Sequence, residues 1–380
     1  MQFEFDPPQR QLRERILAFA NQHCRPEDSA QLDQQPRYPE ELHAAMAKAD
    51  IFAHCLPRPL GGHGGSVLDA VIINEILSGR SDAAGNILFV NLIGATLIAL
   101  AGNPGQQQAL VPAVAAGRLR LAFALSEPEA GSDANAIRTT AESSGDDDVL
   151  NGTKLYTTGA LQADYILTVA LTDPAQGARG GASIFLVPRE APGLRIEPLD
   201  KIAGNAVPSC RVVYDGVTVG PEALLGERNR AWGHLMVGAG FERVLVAASC
   251  LGRATLVVEE ILAFVRERRQ FGQPIGHFQA IQHQLADMAT DIEAMRWLVY
   301  HAAWKMDRGQ PPVREISMAK LFCAERLNEI VNRGMRLLGG RAYLREHSME
   351  RHLRESFLGL YAGGTVEIQR NLIARQLGLG

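Results

Sequence analysis

The residue in this sequence best placed to move a proton is Glu242. It stands directly before Arg243 and opens a run that is almost wholly apolar through Leu251. A carboxyl group entering such surroundings is costly unless it is paired or used. Burial disfavours its charged form and raises its pKa toward that of a working general base. The plainer reading is a glutamate near a helix start that complements the helix dipole. Arg243 also has two readings: a ligand for an anionic substrate group, or half of a helix-surface ion pair.

Four other segments have compositions suited to holding a ligand. Residues 124–133 (ALSEPEAGSD) form a Ser- and Gly-rich turn, where hydroxyls and free backbone amides can face a cofactor and its phosphates. Residues 151–158 (NGTKLYTT) begin with Asn-Gly, which signals a tight turn between strands. Residues 268–279 (RRQFGQPIGHFQ) carry Arg268, whose planar fork matches a diphosphate. Residues 364–370 (GTVEIQR) place Thr365 and Glu367 where a helix N-terminus would meet an anion. No G-x-G-x-x-G follows a strand, so a Rossmann site is not signalled, and the glycines at 61–65 read only as a flexible loop. The ten histidines never fall at metal-ligand spacing with a supporting acid, and no metal is expected.

Composition bounds these readings. The chain has 380 residues, 46% hydrophobic and 21% charged, with a net charge of −4. Near-neutrality removes the broad positive field that nucleic-acid binding uses. The five cysteines are scattered, odd in number and never spaced C-x-x-C, which argues against a disulfide framework or structural zinc and suits a reducing compartment. The opening MQFEFDPPQR has no apolar segment of a signal peptide. No run reaches the length of an uncharged membrane span; the nearest, 85–101, carries Asn86 and Asn91. The cytoplasm is the expected setting.

The elements that must position these residues fall into three blocks. Residues 9–120 read as helices, with Leu12, Ile16, Leu17 and Phe19 on one face and Leu42, Ala45, Met46 and Ala49 on another. A Pro/Gly loop at 57–66 precedes a helix at 67–78. From Leu121, β-branched and aromatic runs at 164–171, 182–187 and 211–214 alternate with turn residues. Beyond Asn229 long helical stretches return, at about 232–266, 279–308, 312–339 and 350–376, with the short connections of an antiparallel bundle. The expected class is α+β: an N-terminal helical domain (1–120), a middle β-barrel or sandwich domain (121–231) and a C-terminal four-helix bundle (232–380).

Together the four segments resemble the acyl-CoA dehydrogenase family over essentially the whole chain. The resemblance implies FAD as cofactor and α,β-dehydrogenation of an acyl thioester. It implies that Phe123, Leu125, Ser126 and Ser132 line the flavin, Ser126 at the isoalloxazine edge and Ser132 at phosphate, with Ser132 also near substrate. Tyr156 would pack on the flavin, where Trp is commoner, and Thr158 would bond its N5 side. Arg268, Gln270, Phe271 and Gln279 would reach the FAD of a neighbouring subunit. Thr365 and Glu367 would meet the cofactor, and Gly339 and Gly340 match an adenosine contact beside Arg336, which stands where glutamine is usual.

Most members of the family carry the base immediately before the G-T-S motif, where this chain has Gly363. Isovaleryl-CoA dehydrogenase and a few relatives carry it on an earlier helix before an arginine, and Glu242-Arg243 matches that arrangement. The resemblance then assigns Glu242 as base, and the backbone of Gly363, with Gly364, to the thioester carbonyl. Arg243 would lie near the CoA-binding region. Electrons would pass to an electron-transfer flavoprotein, and the assembly would be a homotetramer built as a dimer of dimers. A carrier-protein thioester, such as prolyl carrier protein, fits the same base position. Flavin monooxygenases share the fold but have no need of Glu242. A non-catalytic FAD-binding subunit would explain Gly363 but not Glu242.

Overall fold

The structure, a computed structural model, describes residues 4–309 and 312–379. Helices come first: α1 (Pro7–His23), α2 (Pro26–Gln34), α3 (Glu40–Lys48), α4 (Ile51–His54), α5 (Val67–Arg80), α6 (Asp82–Ala101) and α7 (Pro104–Ala115). The β region holds β1 (Leu121–Ala124), β2 (Thr140–Ser144), β3 (Asp147–Thr158), β4 (Tyr165–Leu171), the short α8 (Gly177–Gly181), β5 (Ala182–Pro188), β6 (Leu194–Pro198), β7 (Ser209–Val219) and β8 (Leu224–Leu225). Then follow α9 (Ala231–Glu267), the small hairpin β9 (Arg269–Gln270) and β10 (Gln273–Pro274), α10 (Gln279–Met306), α11 (Val313–Leu338), α12 (Ser348–Ser356), α13 (Leu358–Tyr361) and α14 (Val366–Gln376). Helices, a β block and helices again is the order expected from the sequence.

The chain forms two compact units. One comprises the residues up to Gln35, Ser66–Gly85 and those from Glu242 onward; the other comprises Pro36–Gly65 and Asn86–Phe241.

In the first unit α11 is the central element, packed against α10, α12 and α14. Its buried stripe, Ile316, Ala319, Cys323, Leu327, Ile330, Val331, Gly334 and Leu338, follows the three-and-four spacing of an amphipathic helix. From Val244 to Ile261, α9 buries Val244, Leu245, Ala248, Leu251, Val257 and Ile261. It crosses α5 so closely that a Cβ on Gly252 would lie 1.9 Å from the Glu75 carbonyl oxygen. Only glycine permits that approach. Next to the crossing, the buried Arg253 donates to Glu355 of α12 at 3.1 Å and also to Asp82, so the guanidinium is paired on both sides. A buried ion pair costs desolvation, which good geometry and multiple hydrogen bonds offset.

The second unit is built on a sheet of eight strands among the described residues, ordered β6-β7-β3-β2-β4-β5-β8 with β1 paired to β4. The central β4 and β5 are antiparallel, with Val169 opposite Ile184, and both are buried almost throughout. Such strands read as continuous apolar runs, and these two were legible as strands. The core gathers Leu150, Ile166, Phe185, Val187, Val212, Tyr214 and Val217. Two buried amides tie helices to strands here. Asn91 of α6 accepts the Leu121 N–H at 2.9 Å, and Gln106 of α7 donates to the Glu222 and Leu224 carbonyls, each at 2.9 Å.

Three expectations need correction. Asn151-Gly152 is not a turn: both lie inside β3, at a register shift opposite β7, and the Asn151 side chain accepts the Gly216 N–H at 2.8 Å. The turn leading into β3 lies before it, at 145–146. The stretch 350–376 is not one helix but α12, α13 and α14, interrupted by a glycine turn at 363–364. Finally, α6 is long and apolar enough to cross a membrane by length and composition alone. Two-thirds of its most apolar stretch (67%) is buried inside the protein, which makes α6 a core helix here.

All five cysteines are thiols: Cys24, Cys210, Cys250 and Cys323 are buried and Cys55 is partly exposed. Burial pushes the Cys24 thiol up to about 12 and the Cys250 thiol up to about 11, and it raises Cys210 and Cys323 as well.

Candidate active site

The first unit gathers the acid, the arginine and the glycine turn. Glu242 keeps a partly exposed edge, but desolvation of its carboxyl pushes its pKa up, while Arg243 and Lys320 pull it down. Burial and opposing positive charge are the causes that shift a carboxyl in this way. Arg243 donates from Nε to the Gly363 carbonyl at 2.9 Å, so the arginine expected beside CoA is committed at least in part to the turn.

The turn exists because the chain must leave α13 and start α14 within a few residues. Gly363 and Gly364 do this at φ of +67° and +87°, conformations that cost a side-chain-bearing residue about 1–2 kcal/mol. A Cβ on Gly363 would lie 3.8 Å from Glu242 Cγ and 3.4 Å from Arg243 Cγ. The usual base position and the alternative one therefore face the same space from two elements. Behind the turn, the fully buried Gln369 donates to the carbonyls of Gly363 (3.2 Å) and Gly364 (3.0 Å). The equally buried Lys320 donates from Nζ to the Gly364 carbonyl at 2.6 Å. With its carbonyls anchored backward, the turn is held rigidly. Thr365 caps α14, accepting the Ile368 N–H at 3.3 Å, and Glu367 sits exposed in the first turn.

The second unit arranges the expected flavin-facing residues. Strand β3 grips the loop after β1: the Leu155 N–H donates to the Ser126 carbonyl at 2.8 Å, and Lys154 Nζ donates to the Leu125 carbonyl at 3.0 Å. The buried Lys154 also pairs with Glu127 at 2.7 Å, and that carboxylate accepts the Arg138 and Thr139 N–H groups at 2.7 and 3.0 Å. Phe123 near the end of β1 and Leu125 and Ser126 on this loop are partly exposed, and Ser132 is exposed farther along. A second register shift in β3, between Lys154 and Thr157, turns Tyr156 outward at φ +62° with 65% of its surface exposed. A large side chain in the left-handed region is uncommon and clusters at functional sites. Thr158 Oγ1 lies 2.9 Å from Ser209 Oγ, which accepts from Lys201 Nζ at 3.3 Å. An exposed aromatic on a strained bulge, beside hydroxyls and an open loop, fits a flat cofactor with polar edges.

The remaining expected ligands are exposed features of the first unit. Arg268, Gln270, Phe271 and Gln279 lie on and around the hairpin of β9 and β10. Phe271 is 92% exposed at φ +50° and meets Phe278 edge-on at 6.1 Å. Arg336 is exposed near the end of α11, followed by Gly339 and Gly340, where added Cβ atoms would meet nothing within 4 Å.

Sequence reasoning missed Lys320, Gln369, Lys154 and Glu127. For Lys320 the signal was present: a lone lysine at core register in the apolar stretch 316–324. Lys154 and Glu127 lay inside segments already singled out, but nothing local said that they pair.

Three family descriptions match in order: acyl-CoA dehydrogenase N-terminal domain at 6–118, middle domain at 122–217 and C-terminal domain at 229–378. The chain is 36% identical over 361 residues to the 3-(aryl)acrylate reductase of Clostridium sporogenes, covering 94% of this chain and 95% of that one. It is 33% identical over 379 residues to the probable acyl-CoA dehydrogenase YngJ of Bacillus subtilis, covering 99% and 100%. Among solved structures, butyryl-CoA dehydrogenase from Megasphaera elsdenii superposes with a TM-score of 0.95 at 28% identity, covering 99% and 100%.

Proposed function

The chain belongs to the acyl-CoA dehydrogenase family, and from that premise we propose that it oxidises an acyl-CoA thioester to the 2-enoyl-CoA with Glu242 as the base. It is an FAD-dependent oxidoreductase. The observation that carries the assignment of the base is the convergence of Glu242 and Gly363: the empty side-chain position of one faces the carboxylate-bearing chain of the other.

In this reading Glu242 takes the α-proton of the thioester. Its raised pKa, from burial, matches the carboxylate to that proton better than an exposed glutamate would. Arg243 and Lys320 keep the ionised form accessible. The N–H groups of the 363–364 turn receive the thioester carbonyl oxygen and stabilise charge as it develops there. Gln369, Lys320 and Arg243 prevent the turn from rotating away. FAD, when bound, would supply the acceptor for the β-hydride. The family resemblance supports the segment 123–132, Tyr156 and Thr158 as residues that would hold it, Arg268, Gln270, Phe271 and Gln279 as reaching the FAD of a neighbouring subunit, and Arg336, Gly339, Gly340, Thr365 and Glu367 as further contacts. Arg243 and Ser132 serve the CoA portion. The family resemblance supports an electron-transfer flavoprotein as partner and a homotetrameric assembly. Glu242 itself favours an enzyme over a non-catalytic flavin-holding subunit.

The test is Glu242→Gln, which keeps shape and removes the proton acceptor. Anaerobic single-turnover flavin bleaching by a good acyl-CoA substrate is expected to slow by about 10²–10⁴. FAD content is expected to stay near that of the parent. Bleaching at the parental rate would place the base elsewhere.

A further inference from the structure

Lys320 is an expensive residue with no conventional partner. Its side chain is fully buried on α11, and its hydrogen bonds go to main-chain carbonyls rather than to a carboxylate. An ammonium in such a place costs several kcal/mol unless something offsets it. What it touches is the main chain: the Gly364 carbonyl at 2.6 Å and, more distantly, the Leu360 carbonyl at 3.5 Å. Those two carbonyls bracket the turn of 363–364 from its two sides. Electrostatic interactions reach the ammonium from the Cys250 thiol, Arg243 and Glu242 on α9 and from Glu367 in the first turn of α14. The thiol is neutral, since burial pushes it up to about 11. A surface lysine would act more weakly, because the high dielectric of water reduces its field and salt screens it beyond about 8 Å at physiological ionic strength.

We propose that Lys320 is a positioning residue for the reaction: its buried ammonium holds the glycine turn from behind and adds a positive charge to the field around Glu242. This rests on Glu242 being the base. The two functions share one cause. The hydrogen bond fixes the Gly364 carbonyl, and with it the peptide plane that follows the turn. The charge favours the carboxylate of Glu242 through a low-dielectric interior. Gln369 duplicates the first function, donating to the same carbonyl at 3.0 Å, but as a neutral amide it cannot perform the second. Burial brings the lysine itself down to about 8, so its charge is sensitive to its surroundings.

Two variants and two readouts test this. Lys320→Met removes both charge and hydrogen bond, and Lys320→Gln removes the charge but keeps a donor. In both, the acid limb of the single-turnover rate against pH is expected to move to higher pH. The plateau rate is expected to fall on the order of 10²-fold in Lys320→Met and less in Lys320→Gln. Independently of turnover, the protonated-carboxyl infrared band assigned by its loss in Glu242→Gln is expected to persist to higher pH in both variants. A merely structural lysine would lower the thermal midpoint or FAD content without moving either the limb or the band, and that result overturns the proposal. If Lys320→Met does not accumulate as folded flavoprotein, Lys320→Gln carries the same test. Should Glu242→Gln bleach at the parental rate, the base assignment has failed. Should Glu242→Gln be slow while both Lys320 variants keep the parental limb and band, only the inference about Lys320 has failed.

Discussion

At the scale of single residues, the proposed chemistry depends on where a side chain is missing. Gly363 leaves the space that Glu242 fills from α9, and its φ of +67° is a second reason for glycine there. On the proposed reading, moving the carboxyl from 242 to 363 would carry a cost in strain. In a Glu242→Gln background, Gly363→Glu is expected to raise single-turnover bleaching at least about tenfold over Glu242→Gln alone. The same variant is expected to lose about 1–2 kcal/mol in denaturant unfolding, from forcing a Cβ into the left-handed region. A folded, FAD-loaded double variant with no recovery would show that the 363 position does not aim at the α-carbon. Glu242 stood out in the sequence as a candidate, because a glutamate before an apolar run is a local oddity, and the structure surrounds its carboxyl with desolvating groups. Its supports did not stand out. Lys320 and Gln369 act on carbonyls across a gap of 44 and 5 residues, and nothing local marks which backbone group a buried donor will find.

At the scale of elements, periodicity carried most of what could be anticipated. The long helices follow apolar spacing, and β4 and β5 follow continuous apolar runs. β2 and β6 have mostly exposed or half-exposed residues, so no apolar pattern announced them. The Asn-Gly pair in β3 misled because its turn chemistry was used for a bulge, and the second bulge, which turns Tyr156 outward, left no signal except the aromatic itself. The crossing of α5 and α9 was equally silent, since a glycine in a helix announces only its own flexibility. The geometry there is strict. Gly252→Ala would drive a methyl group to 1.9 Å from the Glu75 carbonyl oxygen, a backbone atom that cannot rotate away. Overpacking usually costs 1–3 kcal/mol, and this substitution is expected to reach about 3 kcal/mol or more in equilibrium denaturation. An unchanged midpoint would mean that the helices can slide apart freely at this point.

At the scale of the whole molecule, the three-part order of helices, strands and helices was readable in full, whereas the grouping into two compact units was not. Residues 66–85 join the unit built from the C-terminal helices rather than their sequence neighbours, and contact partners so distant along the chain leave no local trace. Cysteine placement cuts across this grouping: Cys24, Cys250 and Cys323 lie in one unit, Cys55 and Cys210 in the other. Thiolate, not thiol, attacks an aromatic disulfide reagent. With its thiol at about 11, Cys250 is ionised to roughly one part in a thousand at pH 8, before any steric shielding is counted. The native chain should therefore give one prompt thiol, the partly exposed Cys55, and four that react only when the fold opens. The slow phases become a clock for unfolding that needs neither flavin nor substrate, with Cys210 timing one unit and Cys250 and Cys323 the other. Under saturating reagent, their rates would equal the opening rates themselves, so that equal rates mean the units open together and unequal rates mean that one outlives the other.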